Sequence, residues 1–372
     1  MRKWYSLCFI LIFCISALSG CRMSNELIEA AEHLKFQDSL LSEDTSWIDT
    51  PYKLGVAIIE TYYETDKNGD RNEIHSGDVL RLFDFLTGTH TDHKITLGDN
   101  KWLIPYNNDP GFVLIESKEK YDVLYEIDDD LSIGRKANIE LKDREDVISL
   151  VDDMIYYYVA VDPDFFSECF PVRKNLTTGE IVALEADNIF AVSNTNLIIS
   201  ERIQYFDRIA KDGKTTLTEK VQEIGILNHK NEWTSIVKAG WECDFSEVVS
   251  ACWLDENRAL IAMTLSDELN SSIYIYDIRT EKLSRLVNDN GTPIYLYERF
   301  HMDRTMYPDP SGEYIAYFLT ETPMYGFLHS AYVLSLKTGK VSRIAEYTET
   351  DSKTEDLRSG EYDPDTGMLI WR

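Results

Sequence analysis

A recurring unit of strand, loop, strand, tight turn and strand is the feature that most constrains the fold of this chain. Its clearest copy starts at Arg258 and runs Ala-Leu-Ile-Ala-Met-Thr-Leu, a polar loop, Ser-Ile-Tyr-Ile-Tyr-Asp-Ile, the turn Arg-Thr-Glu-Lys, and Leu-Ser-Arg-Leu-Val. The next copy starts at Asp309 and has Lys-Thr-Gly-Lys at the same turn. Short runs of β-branched and aromatic residues between turn residues are typical of strands. One such unit cannot bury both faces of its own sheet, so the repeats must pack against one another.

The tight turn sets the period of the repeat. Successive turns are 45 to 58 residues apart, at Thr87-Gly88, Ile133-Gly134, Thr178-Gly179, Asn231-Glu232, Thr280-Glu281 and Thr338-Gly339. Propeller blades repeat every ~40–50 residues, and longer intervals indicate loop insertions. Six turns predict an all-β propeller of six blades, or of seven if the C-terminal strands form most of another. A β-sandwich or a solenoid is the alternative architecture.

Two segments of the chain resemble a known repeat signature. The segments that begin Asp309-Pro-Ser-Gly-Glu-Tyr and Asp363-Pro-Asp-Thr-Gly-Met resemble the signature of TolB-type and WD-like propellers. The resemblance is good over residues 245–372, passable over 78–186 and weak over 187–240. It implies a β-propeller architecture, which occurs with many unrelated functions.

Both ends of the repeated region look like parts of a blade. The first strand runs from Leu54 to Tyr63, and the chain finishes with Met368-Leu-Ile-Trp-Arg372. We expect the two ends to share one blade, because closing the ring protects the edges of the sheets.

The N-terminus has the layout of a secretory signal peptide. Arg2 and Lys3 precede an apolar run of 12 residues, from Leu7 to Leu18, whereas a membrane-spanning helix needs ~20. The string Leu-Ser-Gly-Cys that closes this run resembles the lipobox of bacterial lipoproteins. The resemblance implies cleavage before Cys21 and a diacylglycerol on its thiol, and two acyl chains anchor a protein stably. The alternative is an ordinary signal peptide with an incidental cysteine.

These observations predict three segments of the chain and a cellular location. Residues 1–20 form the lipoprotein signal peptide, residues 21–51 a lipidated N-terminus with a short helical tether, and residues 52–372 the β-propeller. The tether follows a loose helical period from Asn25 to Leu41. The predicted location is the cell envelope, on the outer face of a bacterial membrane.

The charge of the chain limits the classes of binding partner, and its cysteine content limits the possible disulfides. The chain has 65 acidic and 37 basic residues and a net charge of −28, which disfavours nucleic acid and anionic lipid heads and favours basic partners. Besides Cys21, the mature chain has three cysteines, Cys169, Cys243 and Cys252. This odd number argues against a disulfide framework. Cys243 and Cys252 could pair, or they could be buried free thiols.

One loop has oxygen ligands at alternate positions. Asp66, Asn68 and Asp70 resemble the start of an EF-hand calcium loop. A complete EF-hand is excluded, because Arg71 occupies the position of the required glycine and Gly77 that of the bidentate glutamate. The alternative is a solvated hairpin loop. No cofactor is predicted other than Ca²⁺ at these three residues.

The sequence contains no recognised catalytic motif, and catalysis is left open. A Gly-x-Ser-x-Gly elbow, a sialidase-type box and a phosphate-binding loop are all missing from the sequence. A non-enzymatic binding protein is favoured. The alternative is a carbohydrate-active propeller enzyme that uses carboxylates at the channel mouth, drawn from Glu126, Asp128–Asp130 and Asp152-Asp153.

Two loops carry the predicted ligand-binding residues. In propellers of this kind, the loops between second and third strands and those between blades surround the channel mouth. Loops 288–303 and 320–330 are rich in aromatic residues and histidine, which suit recognition surfaces. The candidates are Tyr297, His301, Tyr325, Phe327 and His329. The expected partner is a protein or a glycan; alternatively these side chains cover the blade edges.

Overall fold

A computed structural model describes residues 41–65, 71–95, 101–106, 111–117, 122–127, 133–139, 144–162, 165–209, 216–240, 243–265, 271–296, 301–321, 328–348 and 369–371. The chain divides into two compact units, residues 1–42 and 43–372. The first unit is described only at the strand β1 (Leu41–Ser42). The rest of the expected helical tether, the signal peptide and Cys21 lie outside the described residues.

The second unit is all-β over the described residues. Its strands are β2 (Leu54–Thr65), β3 (Arg71–Asp84), β4 (Thr89–Ile95), β5 (Lys101–Tyr106), β6 (Gly111–Ser117), β7 (Asp122–Ile127), β8 (Ile133–Ile139), β9 (Arg144–Val151), β10 (Met154–Asp162), β11 (Phe165–Asn175), β12 (Ile181–Ala183), β13 (Asn188–Val192), β14 (Ile198–Ile209), β15 (Thr216–Leu227), β16 (Trp233–Gly240), β17 (Phe245–Trp253), β18 (Arg258–Leu265), β19 (Ser271–Asp277), β20 (Lys282–Arg285), β21 (His301–Pro308), β22 (Tyr314–Glu321), β23 (Leu328–Ser335), β24 (Val341–Thr348) and β25 (Leu369–Trp371).

Antiparallel pairing arranges the strands of this unit, as far as they are described, into six sets of four. The sets are β25-β2-β3-β4, β5 to β8, β9 to β12, β13 to β16, β17 to β20, and β21 to β24. The first strands of successive sets, from β5 through β9, β13, β17 and β21 to β25, lie beside one another. This is the arrangement of a β-propeller, in which each set corresponds to a blade. The number of blades stays a prediction.

The middle strands of the β17–β20 set are buried on both faces. The segment from Ala259 to Met263 of β18 is fully buried at every position, as is Ile273 of the neighbouring β19. A strand with neighbours against both faces becomes a continuous apolar run rather than an alternating one. The continuous apolar run Ala-Leu-Ile-Ala-Met in the sequence therefore corresponds to a strand that is packed on both faces.

The two ends of the repeated region pair with each other. Leu54, Gly55 and Val56 of β2 align antiparallel with Trp371, Ile370 and Leu369 of β25. Leu54, Val56 and Trp371 belong to one buried cluster. The prediction that both ends contribute to one sheet is confirmed.

A short strap precedes β2. Within the second unit, Trp47 donates its indole N–H to the Ser342 hydroxyl at 2.8 Å, and the Thr50 hydroxyl donates to the Asp309 carboxylate at 3.2 Å. Ile48 is buried in the same cluster as Leu54. Residues 43–51, the last part of the predicted N-terminal segment 21–51, thus pack against the β21–β24 set.

The tight turns follow the sequence at most positions, with two corrections. Gly88, Gly179 and Gly339 have positive φ angles of 66°, 75° and 76°, which glycine adopts without strain. At the fourth turn the positive φ of 67° belongs to Asn231 rather than to Glu232, since this turn is one residue shorter. Gly134 is not at a turn: it lies in β8, opposite Glu126.

Within the described residues, no helix is long and apolar enough to cross a membrane.

Candidate binding face

One end of the propeller carries the connections that the sequence analysis singled out. In an antiparallel set of four strands, the connection between the second and third strands leaves at the end opposite the other two. We call this end the hairpin face; it includes the outer ends of β2–β3, β14–β15 and β22–β23. Loops on a rigid scaffold are where binding residues concentrate.

The structure aligns two of the predicted ligand-binding residues on this face. His301 of β21 is opposite Thr320 of β22, and Thr320 is opposite His329 of β23. Because neighbouring strands are ~4.8 Å apart, the two histidine positions are about 10 Å apart. Tyr347 of β24 extends the same row, since it is opposite His329. Nothing in the sequence linked Tyr347 to this site.

The other predicted site residues lie outside the described residues. Tyr297 precedes β21 in the chain, and Tyr325 and Phe327 fall between β22 and β23. The candidate calcium ligands fall between β2 and β3; these are Asp66, Asn68 and Asp70. In the part of the chain that the structure describes, no three His, Cys, Asp or Glu residues are grouped to hold a metal ion.

The first part of loop 288–303 packs against the propeller. Ile294 and Leu296 are buried, at 1% and 0% exposure. The Ile273 N–H donates to the Ile294 carbonyl at 3.0 Å, and the Leu296 N–H donates to the Ser271 carbonyl at 2.9 Å. This half of the loop therefore adds to the edge of β19.

Two of the candidate catalytic carboxylates belong to a turn. Asp152 and Asp153 connect β9 to β10, the first connection of its set, which is at the end opposite the hairpin face. Asp152 has a φ of 51°, and the Asp153 carboxylate accepts a hydrogen bond from the Thr177 hydroxyl at 2.9 Å. Their observed contacts are those of a capped turn. Asp128–Asp130 lie outside the described residues.

No disulfide joins the three described cysteines, Cys169, Cys243 and Cys252. Cys252 is buried in β17, and burial raises the pKa of its thiol, which keeps it protonated and unreactive. Cys243 is half-buried and Cys169 is exposed. The proposed pairing of Cys243 with Cys252 is absent from the structure.

A buried carboxylate at the base of the β14–β15 hairpin was missed by the sequence analysis. Glu201 is 0% exposed and accepts hydrogen bonds from the side-chain amides of Asn188 at 2.5 Å and Gln222 at 3.0 Å. The Tyr158 hydroxyl donates to Asn188 at 3.2 Å, and Gln222 accepts from the Val248 N–H at 3.2 Å. These bonds join three successive sets, from β10 through β13, β14 and β15 to β17.

The outer part of the same hairpin exposes large apolar side chains. Tyr205, Phe206 and Ile209 are 67%, 51% and 70% exposed. Single exposed apolar residues are common, but a cluster of them marks a contact surface. Strands β14 and β15 pair continuously up to these residues, from Ile198 opposite Leu227 to Ile209 opposite Thr216.

Comparison with known proteins finds similarity in structure alone. No family model and no curated protein matches the sequence. The chain is similar to the crystal structure of TolB from Acinetobacter baumannii, with 12% identity and a TM-score of 0.45, over 86% of this chain and 66% of that one. It is also similar to the periplasmic gluconolactonase of Pseudomonas aeruginosa, with 9% identity and a TM-score of 0.42, over 85% and 99% of the two chains.

A third similarity is to a protein from Lactobacillus plantarum, with 10% identity and a TM-score of 0.40, over 86% of this chain and 99% of that one. At these identities, no activity transfers to this chain. The propeller assignment stands on the strand pairing and on the repeat signature of the sequence.

Proposed function

We propose that this chain is an extracytoplasmic lipoprotein, anchored through Cys21 to the outer face of a bacterial membrane, whose six-bladed propeller binds a protein or glycan partner without catalysis. The observation that carries the binding role is the alignment of His301, Thr320 and His329 across three neighbouring strands of the hairpin face. The segment with Tyr325 and Phe327 joins two of these strands in the sequence.

Residue chemistry supports a recognition surface at this place. Histidine and tyrosine combine an apolar body with hydrogen-bonding groups, so they recognise both aromatic and polar surfaces. The strands that carry Thr320 and His329 are packed at their centre, since Tyr317 and Tyr332 of β22 and β23 are fully buried and stacked with their ring centroids 5.6 Å apart. A rigid base lowers the entropy cost of binding. The net charge of −28 favours a basic partner.

The predicted signal peptide and the lipobox-like string support the proposed location at the membrane. An anchor with two acyl chains holds a protein to a bilayer without a membrane-spanning segment. We expect Cys21→Ala to abolish acylation and to release the protein from the membrane fraction. Mass spectrometry of the N-terminal peptide and fractionation of cells measure both effects. Cys169→Ala, which removes an exposed thiol, is the control and should stay in the membrane. Membrane retention of Cys21→Ala, with no acyl group on the wild-type peptide, would contradict the anchor.

The binding role is tested with the double variant Tyr325→Ala and Phe327→Ala. We expect crosslinking in native cells, affinity capture and mass spectrometry to identify a partner with the wild type and to lose it with the double variant. We expect the thermal midpoint of unfolding to change by less than about 2 °C, because substitutions of side chains that contact a partner rather than the core cost little stability.

Leu86→Ala is the matched control, because Leu86 is 62% exposed and lies in the β3–β4 turn at the opposite end. This variant should keep the partner. A large fall in the stability of the double variant would instead assign Tyr325 and Phe327 to packing. Equal capture by all three proteins would remove the hairpin-face residues from the binding site.

A further inference from the structure

The β14–β15 hairpin extends beyond the set to which it belongs. Its strands pair from Ile198 opposite Leu227 to Ile209 opposite Thr216. The flanking strands stop earlier, because β13 pairs only with residues 198–201 and β16 only with residues 221–227. We call the remainder, residues 202–209 and 216–220, the arm. At ~3.3 Å per residue, the eight residues from 202 to 209 span about 25 Å.

The base of the arm is held firmly. The buried Glu201 and Gln222 are hydrogen-bonded to each other at 3.0 Å, immediately below it. The Arg202 guanidinium lies 4.2 Å from the ring centroid of Trp233 and forms an ion pair with Glu185 at 3.3 Å. A two-stranded ribbon is marginally stable by itself, so these contacts fix the direction in which the arm leaves the propeller.

Both faces of the arm carry exposed apolar side chains among polar ones. Successive residues of a strand point to opposite faces, so Tyr205 and Ile209 share one face. Phe206 is opposite Glu219, two residues from Leu217, and these three positions share the other face. Tyr205 and Ile209 are 67% and 70% exposed, and Phe206 and Leu217 are 51% and 40% exposed. A protein surface that lies flat against the ribbon covers one face only, whereas a medium that surrounds the tip covers both.

The sequence that joins the two strands of the arm differs in charge from the chain as a whole. Residues 208–214 contain three basic residues and one acidic residue, in a chain whose net charge is −28. The Asp207 carboxylate accepts a hydrogen bond from the Thr218 hydroxyl at 2.7 Å, which satisfies part of its hydrogen-bonding capacity within the arm. Basic residues beside aromatic and aliphatic ones are the composition that binds the interface of an anionic bilayer.

We propose that the arm is a second membrane contact, whose tip enters the headgroup region of the phospholipid bilayer that holds the Cys21 anchor. Tyr205, Phe206 and Ile209 enter the boundary between headgroups and acyl chains. The basic sequence that joins the two strands of the arm favours a bilayer with anionic lipids. The outer edges of the ribbon carry backbone groups outside the described strand pairing. Such groups are costly in hydrocarbon, so the arm lies in the interface and does not cross the bilayer.

The predicted anchor makes this contact reachable. From Cys21 to Glu43, the first residue of the second unit, an extended chain of 22 steps reaches at most about 75 Å. A tethered surface experiences a high effective concentration of lipid, so a weak contact becomes occupied. The overall negative charge opposes approach, but screening limits it to a Debye length of ~8–10 Å, which is shorter than the arm. The inference rests on the proposed function for this tether only.

A photocrosslinker at the arm tests the contact. The full-length protein with Phe206→p-benzoylphenylalanine is mixed with vesicles of phosphatidylglycerol and phosphatidylcholine, irradiated, and analysed by mass spectrometry. Leu86→p-benzoylphenylalanine is the matched control. We expect at least about tenfold more phospholipid adduct at position 206 than at position 86. In vesicles of phosphatidylcholine alone, we expect less adduct at position 206 than in the mixed vesicles.

Variants of the arm and the control position distinguish the possible outcomes. Adding Tyr205→Ser and Ile209→Ser should lower the adduct at position 206 to the level at position 86. Equal lipid adducts at both positions in the parent protein would overturn the proposal. So would adducts to a second copy of the chain in vesicles, or to another protein in native membranes. If Cys21 carries no acyl group, the anchor fails, but the ratio between the two positions still tests the arm, because the vesicles are added directly.

Discussion

At the scale of single residues, Glu201 shows what sequence analysis cannot reach. An acidic residue in a strand is normally interpreted as solvent-facing, and Glu201 follows the apolar pair Ile198-Ile199 with no special spacing. Its partners come from separate parts of the chain: Asn188 lies 13 residues before it and Gln222 lies 21 residues after it. Only the packed structure shows that both carboxylate oxygens accept amide hydrogen bonds.

This network predicts a large loss of stability on truncation. In Glu201→Ala the amides of Asn188 and Gln222 lose their shared acceptor inside the protein, and unsatisfied buried donors cost about 1–3 kcal/mol each. We expect the free energy of unfolding to fall by about 3 kcal/mol, measured by urea denaturation.

Glu201→Gln is the matched control for the network. It keeps the shape and one acceptor oxygen, but its new amide N–H₂ faces another donor, so we expect an intermediate loss of about 1–2 kcal/mol. A Glu201→Ala loss below about 1 kcal/mol would mean that water replaces the carboxylate at this position.

At the scale of elements, the tight turn was the best predicted feature. Its repetition gave the period of the fold, and side chains cap it in a shared way. Asp84, Asn175 and Asp277 each accept the backbone N–H three residues ahead, at 3.1, 2.8 and 2.9 Å. Ser335 does the same with its hydroxyl at 3.1 Å. A local motif of this kind is readable from sequence because all its partners are within a few residues.

The same reasoning explains where the turn assignment was wrong. The fourth turn contracts by one residue, which asparagine permits because it tolerates a positive φ angle. Gly134 was assigned to a turn because it matched the spacing, but it lies in β8. The spacing between turns does not reveal where within a repeat a residue has been inserted or lost. Only the pairing of the strands shows which residues form each turn.

The capping aspartates predict an acid-dependent stability. The Thr87 N–H holds the pKa of Asp84 below its ordinary value of 3.8, and the Thr280 N–H does the same for Asp277. A lowered pKa in the folded state stabilises the fold above the ordinary value, and this contribution is lost as pH falls through the lowered value. We expect the thermal midpoint to fall with acidification below about pH 4.

The double variant Asp84→Asn and Asp277→Asn isolates this effect. Asparagine retains the cap without a titrating group, as Asn175 shows at the third turn. Its thermal midpoint should therefore depend less on pH between about pH 4 and pH 2 than that of the wild type. Identical pH profiles for the two proteins would remove these two carboxylates from the cause of acid destabilisation.

At the scale of the whole molecule, closure by the two ends was predicted and the strap was not. The ends were recognisable because each carries an apolar run without the rest of its blade. The strap, residues 43–51, has only Trp47 and Ile48 as large apolar residues, and it follows neither a strand nor a helix period. Its bonds to Ser342 and Asp309 span 295 and 259 residues. The hairpin face was predicted as a set of loops, but the arm was not, since a sequence does not show how far a hairpin outruns its neighbours.

Closure predicts that the last residues stabilise the entire propeller. Trp371 is 4% exposed, its indole N–H donates to the Tyr307 carbonyl at 2.9 Å, and its ring centroid lies 5.8 Å from that of Phe85. Trp371→Ala leaves a cavity between the first and last sets, and truncations of this size cost about 3–5 kcal/mol. We expect this loss in urea denaturation of the full chain, in a single transition, because opening the ring exposes the edges of both sets.

Trp371→Phe keeps most of the volume and loses only the hydrogen bond, so it should cost about 1–2 kcal/mol. If Trp371→Ala instead unfolds in two steps, the β21–β24 and β25–β4 sets are stable without each other, and closure by β25 is not what couples them.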